Sequence, residues 1–175
     1  MASAAASIAP VPLAELKDFL RISSSEDDAL LAGLTRSASE LCEAFTGVTL
    51  IARTFEEALG ASAAWTRLGR TPVRAILGVS SLSAGVGEPL PVATYATDID
   101  ASGDGWIRTS GMRGRVLVRY EAGLAADWNG IPESLRQGVV RMAAHLYVSR
   151  DAAGSGEPPA AAAALWRPYR RLRLC

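Results

Sequence analysis

The chain has 175 residues, of which 49% are hydrophobic and 21% charged, and its formal net charge is zero. A chain of this size buries roughly 70% of the surface that it exposes when unfolded, which is enough for a sizeable core. The neutral balance argues against a dedicated nucleic-acid-binding domain, which should be strongly basic. No apolar run approaches the ~20 residues that span a bilayer, so we expect no membrane-spanning segment.

The first ten residues and the two cysteines indicate the compartment. MASAAASIAP has neither the basic start nor the sustained apolar stretch of a signal peptide. We therefore expect a cytoplasmic chain, in which Cys42 and Cys175 stay reduced and form no disulfide framework. Cys42 lies within a helical pattern, so we interpret it as a small core residue.

Two helices are predicted between residues 12 and 46. Pro12 begins a short helix, and Ser25 with Asp28 forms a capping-box-like start for a longer one. Apolar residues then follow at helical spacing up to Gly47, which is suited to the left-handed backbone at a helix end. These apolar residues are Leu30, Leu31, Leu34, Ala38, Leu41, Cys42 and Phe45.

Residues 48–120 are predicted to form an inserted β unit. Short β-branched and apolar runs alternate there with turn signals. The runs are 48–55, 72–82, 92–97, 105–109 and 115–120. In the last run, Val116, Val118 and Tyr120 face one way, and Arg115, Leu117 and Arg119 face the other, as in a strand. Short strands separated by turns favour a small antiparallel sheet or sandwich.

A third helix is predicted over residues 131–151. Its apolar residues recur at helical spacing, and Pro132 stands where a helix can begin without losing a needed N–H. Small residues, glycine and proline fill residues 152–164, which we interpret as a linker, and residues 165–175 form a tail. The predicted fold class is α+β: a single folded domain over residues 1–151, with the β unit inserted into a helical body, then the linker and an extended C-terminal tail.

The tail combines two aromatic side chains, Trp166 and Tyr169, with arginines and leucines. A segment this short cannot bury those rings against itself, so it either folds back on its own domain or docks on another protein. Trp, Tyr and Arg concentrate binding energy in interfaces, and leucines favour a protein groove over a phosphate backbone. The predicted docking residues are Leu165, Trp166, Arg167, Tyr169, Arg170, Arg171, Leu172, Arg173 and Leu174.

Four stretches of the chain resemble one protein family. The helix IPESLRQGVVRMAAHLYVSRD, its spacer and WRPYRRLRL resemble the end of a head–tail connector (adaptor) protein of long-tailed phages and phage-derived gene transfer agents. PVPLAELKDFLRISSSEDDALLAGLTRSASELCEAFTG resembles the opening of that family, and RTPVRAILGVSSL and GRVLVRYEAG resemble its middle. The resemblance extends from about Leu13 to Leu174.

This resemblance implies a structural protein without catalytic activity or a cofactor. It implies a dodecameric ring below the portal protein, which continues the DNA channel and offers a platform to the next tail component, a stopper or terminator. We expect the predicted docking residues to bind the portal, and DNA to pass without sequence-specific binding. The implied location is the head–tail junction of a virion or phage-like particle, assembled in the cytoplasm, with no membrane partner.

The distribution of charge along the chain fits association between copies. Residues 1–60 carry four basic and nine acidic side chains, whereas residues 131–175 carry seven basic and three acidic ones. Ends of opposite charge suit head-to-tail contacts, or a partner with an acidic receptor surface.

Two alternative functions belong to other classes. The basic, aromatic tail would also suit a small nucleic-acid-associated module whose rings stack on bases. An enzyme is disfavoured, because His145, the only histidine, has no partner at catalytic or metal-ligand spacing, and we interpret it as packed in the core or an interface. DIDASGDGW (residues 98–106) matches the first half of a calcium loop, but Thr109 stands where a bidentate glutamate is needed. A polar hairpin turn is favoured there, and we expect no metal.

Overall fold

The structure is a computed structural model, and it describes residues 11–83, 86–149 and 157–171. The chain divides into two compact units. The helical unit combines Met1–Ile51 with Ala125–Cys175, and the β unit is the continuous stretch Ala52–Leu124. The β unit is therefore inserted into the helical unit, as the sequence predicts.

Four α-helices form the described part of the helical unit. They are α1 (Leu13–Leu20), α2 (Asp28–Thr46), α3 (Glu133–Val148) and α4 (Ala160–Trp166), with short 3-10 turns at Trp128–Gly130 and Arg167–Tyr169. α2 ends at Gly47, whose φ of 72° is left-handed and whose N–H donates to the Glu43 carbonyl at 2.8 Å. The predicted end of this helix is confirmed. Within the described ranges, no helix is both long and apolar enough to cross a bilayer.

One buried cluster stabilises these helices against each other. Leu16 of α1, Leu31 and Cys42 of α2, and Leu135 and Met142 of α3 are fully buried in it. Each helix contributes the side of its surface on which apolar residues recur, so the burial of apolar surface stabilises the unit. Burial also raises the pKa of the Cys42 thiol far above its usual range, so this group stays neutral in the core, as predicted.

Asp27 and Asp28, at the start of α2, contact side chains of both neighbouring helices. Lys17 Nζ of α1 lies 2.7 Å from Asp28 Oδ1, and the Tyr147 hydroxyl of α3 donates to Asp27 Oδ2 at 2.6 Å. Two contacts of this kind fix where α2 begins relative to α1 and α3, because each joins side chains on different helices.

The described residues of the β unit form seven strands, all paired antiparallel. They are β1 (Arg53–Gly60), β2 (Thr66–Arg67), β3 (Val73–Ser83), β4 (Val86–Pro89), β5 (Tyr95–Ile99), β6 (Gly105–Thr109) and β7 (Arg115–Ala122). Two sheets result, with strand orders β1-β7-β3-β4 and β2-β6-β5. Antiparallel strands this short, joined by tight turns, confirm the predicted β class.

Both sheets contribute to a second buried cluster. On β7, Val116, Val118 and Tyr120 are buried while the residues between them are half-buried or exposed, which confirms the predicted alternation. Ile107 of β6 joins the same cluster. The Tyr120 hydroxyl donates to Glu57 Oε2 at 2.9 Å, and burial together with this bond raises the pKa of Tyr120 above its usual range.

The predicted α+β class is confirmed, but the start of the first strand and the extent of the linker differ from the sequence prediction. The first strand begins at Arg53 rather than at residue 48, because Leu50 and Ile51 are buried in the helical cluster. The predicted domain over residues 1–151 contains residues of both compact units, and its unity as one domain stays a prediction. The predicted linker over residues 152–164 contains most of α4, because a run of alanines has no apolar period yet has the highest helix propensity.

Candidate docking segment

Residues 160–171, here called the C-terminal segment, comprise α4, a 3-10 turn and a short extended end. Alanines fill the first turns of α4, and Pro159 precedes them with a φ of −56° that suits entry into a helix. A helix of seven residues is not stable by itself in water. Packing against α2 and α3 must therefore hold it.

Trp166 supplies most of that packing. Its side chain is 0% exposed and lies directly over Gly138 of α3, where a Cβ would overlap the indole ring. The Trp166 indole N–H donates to the Leu135 carbonyl at 3.3 Å, and its ring centroid lies 5.8 Å from that of Phe45 on α2. A glycine in α3 thus allows a large ring to approach the helix backbone closely.

The end of the C-terminal segment is fixed by polar contacts. The Ser134 hydroxyl donates to the Tyr169 hydroxyl at 3.0 Å, and the Arg171 N–H donates to the Thr46 carbonyl at 2.8 Å. Thr46 is the last residue of α2, so this bond satisfies a carbonyl that has no partner within its own helix. The chain therefore leaves the described structure from a defined point beside the carboxyl end of α2.

The arginines of the segment differ from its aromatic residues in exposure. Arg167 and Arg170 are exposed, and Arg171 is half-buried. The Arg170 guanidinium lies 5.6 Å from the centre of the Phe45 ring. Cations near the carboxyl end of α2 interact favourably with its dipole. Two guanidinium groups are thereby presented to solvent on a segment whose backbone is held in place.

The sequence leaves two alternatives for the tail: it folds back on its own domain, or it docks on another protein. In its described part, residues 165–171, the tail folds back on the helical unit. Leu165 is half-buried against the helical cluster, next to the buried Trp166. Leu172, Arg173 and Leu174 lie outside the described residues. Binding of a portal by these nine residues stays a prediction.

Neither a protein-family model nor a curated protein matches the sequence. Solved structures do match it. The chain is 28% identical to a chain in the neck of an empty GTA particle computed with C6 symmetry, with a TM-score of 0.80, covering 100% of this chain and 96% of that one. The chain has the fold of a gene transfer agent neck component.

Two further structures agree with this likeness. They are the virion of a native gene transfer agent particle and the neck of a native GTA particle computed with C12 symmetry, each with 27% identity and a TM-score of 0.77. Both again cover 100% of this chain and 96% of theirs. The likeness therefore includes both the helical and the β unit, and it supports a structural component of a phage-like particle.

Residues 98–106, which match the first half of a calcium loop, form a hairpin turn. The Asp100 side chain accepts hydrogen bonds from the backbone of this turn. Asp100 Oδ1 accepts the N–H groups of Ser102 and Asp104, each at 2.9 Å, and its Oδ2 accepts the Trp106 indole N–H at 3.0 Å. Both carboxylate oxygens thus face N–H donors, and Gly103 adopts a φ of 78° at the turn. This arrangement is the favoured polar turn.

His145 is exposed on α3, and its Nδ1 lies 3.4 Å from the Ser149 hydroxyl. Of its two predicted settings, packing in the core is wrong, because the side of α3 on which it lies faces solvent; packing in an interface stays a prediction. Among the residues that the structure describes, no group of three or more His, Cys, Asp or Glu side chains is placed to hold a metal ion.

The contact between Trp166 and Gly138 is not predicted from the sequence. A glycine in the middle of a helix costs about 1 kcal/mol relative to alanine, so its presence in α3 already indicates a close approach by another group. What approaches it cannot be read from local sequence, because 27 residues separate the two positions, including the region interpreted as a linker.

Proposed function

We propose that this chain is the adaptor between the head and the tail of a phage-like particle. Copies form a ring below the portal, continue the DNA channel and give the next tail component, a stopper or terminator, its platform. The observation that carries this proposal is the full-length match, at 28% identity and a TM-score of 0.80, to a chain of a GTA neck. The sixfold and twelvefold symmetry of the matched necks supports a ring of copies.

We propose that the C-terminal segment and the residues after it attach the ring to the portal, and that the buried and the exposed residues have different roles. Trp166 and Tyr169 hold the base of the segment on its own subunit. Arg167 and Arg170, which are exposed, pair with portal carboxylates, and the residues after Arg171 enter apolar pockets. One copy binds weakly because so few residues contact the portal, but a ring presents many copies at once and so binds tightly.

A neutral chain suits passage of DNA through the ring. Zero net charge gives no strong attraction for phosphates, so DNA slides through without sequence-specific contacts. The alternative of a nucleic-acid-associated module needs rings that are free to stack on bases. Trp166 is buried, and Tyr169 is bonded to Ser134, so the described segment does not favour it. Binding to DNA that weakens steeply with salt and disappears without the arginines would favour the module instead.

Portal binding tests the proposal directly. A chain ending at Arg171, with Arg167→Ala and Arg170→Ala, keeps the buried anchor and removes the exposed contacts. We expect it to fold normally and to lose portal attachment by at least about tenfold in affinity, measured by co-sedimentation and electron microscopy with the purified portal. Arg141→Ala, which removes an exposed arginine from α3, is the matched control and should attach normally.

Normal attachment by the truncated double variant would refute docking by the C-terminal segment. Failure of the unmodified chain to attach to any portal, or to enter particles, would refute the adaptor role as a whole.

A further inference from the structure

Two aromatic side chains are exposed, and they lie on different units of the chain. The sequence has three phenylalanines, four tryptophans and four tyrosines, and the structure describes all of them. Phe19 of α1 is 47% exposed and Trp65, just before β2, is 44% exposed, whereas every other aromatic side chain is buried or half-buried. Aromatic side chains are enriched in protein interfaces, so each exposed ring marks a surface that suits a protein partner.

A charged side chain lies beside each exposed ring, and the two charges have opposite signs. Asp18 directly precedes Phe19 and is exposed, and the exposed Arg108 guanidinium of β6 lies 4.8 Å from the centre of the Trp65 ring. Within residues 11–83, 86–149 and 157–171, neither the Asp18 carboxylate nor the Arg108 guanidinium forms an ion pair. We call Asp18 with Phe19 the acidic face, and Trp65 with Arg108 the basic face.

Both faces are fixed on their own units. Lys17, beside the acidic face, bonds to Asp28 at 2.7 Å and so holds α1 against α2. The loop before Trp65 is bonded to the end of β6, where the Thr109 N–H donates to the Ser62 carbonyl at 2.7 Å. Groups that are already held in place lose little conformational entropy when a partner binds, so both faces are suited to binding.

We infer that the acidic face of one copy binds the basic face of the next copy in the ring. In this contact Asp18 pairs with Arg108. The Phe19 ring packs against Trp65. The inference rests on the proposed function, because a ring of identical copies needs a heterologous contact, in which one face of each copy meets a different face of the next.

The complementarity of the two faces favours a second copy as the occupant. Each face has one exposed ring beside one charge, and the charge on one face is opposite in sign to the charge on the other. A partner of another kind would need only one of these faces. Two faces of opposite charge on a single chain fit a contact between identical copies, in which each face is met by the other.

Charge reversal tests the contact. Asp18→Arg and Arg108→Asp each bring two like charges together where the faces meet, which is unfavourable. We expect each substitution alone to lower the yield of rings at least about tenfold, counted by electron microscopy on the full chain mixed with portal. The double variant restores the pair with its signs exchanged, so its yield of rings should return to within about threefold of the unmodified chain's.

An equal mixture of the two single variants gives an independent test. In the mixture, the new arginine of one variant meets the new aspartate of the other, and the next contact along the ring is the original pair. Rings of alternating copies should therefore form, although neither variant forms rings alone. Only a contact between copies gives this result, because mixing corrects neither a folding defect nor the loss of a different partner.

Glu40→Arg and Arg113→Asp are the matched controls. Each reverses the charge of an exposed side chain outside the two faces, on α2 and in the turn after β6. Both should form rings normally. Because Asp18 and Arg108 are also exposed, all variants should unfold at nearly the temperature of the unmodified chain when measured unassembled.

Four results would overturn the inference. Normal rings from both single variants would place the contact elsewhere while leaving the adaptor role intact. A loss of rings that neither the double variant nor the mixture restores would assign the two faces to a different partner. An equal loss in the two controls would assign the effect to charge in general. Portal attachment of single, unmodified copies without any ring would remove both the inference and the ring on which it rests.

Discussion

α2 and α3 each carry a glycine in mid-helix, and the surroundings of the two glycines are opposite. At Gly138 the indole of Trp166 occupies the space that a side chain would take. At Gly33 the same space contains only the end of the flexible Arg36 side chain, at the edge of contact. Among the described residues, a glycine is therefore required by a close approach in α3 but not in α2.

Removing Trp166 should give the largest effect on stability. Trp166→Ala takes away a fully buried ring and leaves α4 without its main contact, so we expect a loss of about 3–5 kcal/mol in the free energy of unfolding. Urea denaturation measures it. Trp65→Ala is the control, because Trp65 is 44% exposed and its ring lies 4.8 Å from the Arg108 guanidinium in the β unit. It should cost about 1 kcal/mol or less. A similar small cost for Trp166→Ala would show that the C-terminal segment is not anchored.

Gly138→Ala should have the next largest effect. The new methyl group meets the Trp166 ring, so we expect a loss of about 1–3 kcal/mol despite the better helix propensity of alanine. In a Trp166→Ala background the same substitution should become stabilising, because the ring that the new methyl group meets is then gone. This double-mutant cycle, followed by urea denaturation, isolates the contact. A destabilising effect of equal size in both backgrounds would contradict the proposed fit.

Gly33→Ala should have the smallest effect, and its sign should be opposite. A methyl group at Gly33 would meet only the flexible end of Arg36 at an ordinary contact distance of 3.8 Å, so helix propensity decides and the isolated chain should gain about 1 kcal/mol. Thermal unfolding of the unassembled chain measures it. A loss of stability would mean that Gly33 is already packed, and the contrast between the two helices would disappear.

The predictions that were confirmed depend on local periodicity. Cys42 in the core, the end of α2 at Gly47 and the alternation along β7 each follow from which residues share one side of a helix or strand. The α+β class follows from the same patterns. The resemblance of the sequence to adaptor proteins agrees with the likeness to neck structures.

The predictions that failed, or that left two alternatives, depend on contacts between distant residues. Leu30 and Leu31 carry the same local signal, yet Leu31 is buried and Leu30 is 42% exposed, because neighbouring helices cover only one side of α2. The alanine run before Trp166 is predicted to be a linker, but it forms α4. Helix propensity without an apolar period does not predict whether a short helix packs against the rest of the chain. His145 is predicted to pack in the core or in an interface, and no pattern in α3 indicates that its side of the helix lies outside the core.

By itself, the amino-acid sequence determined the succession of helices and strands, their approximate ends and the apolar side of most of them, because these depend on residues within one or two turns of each other. The tertiary structure decided that the chain makes two compact units, that Trp166 closes over Gly138 and that, among the described residues, only the end of Arg36 comes near Gly33. Those outcomes depend on which surfaces pack against each other in the folded chain. The free energy of that packing comes from groups that are far apart in the sequence.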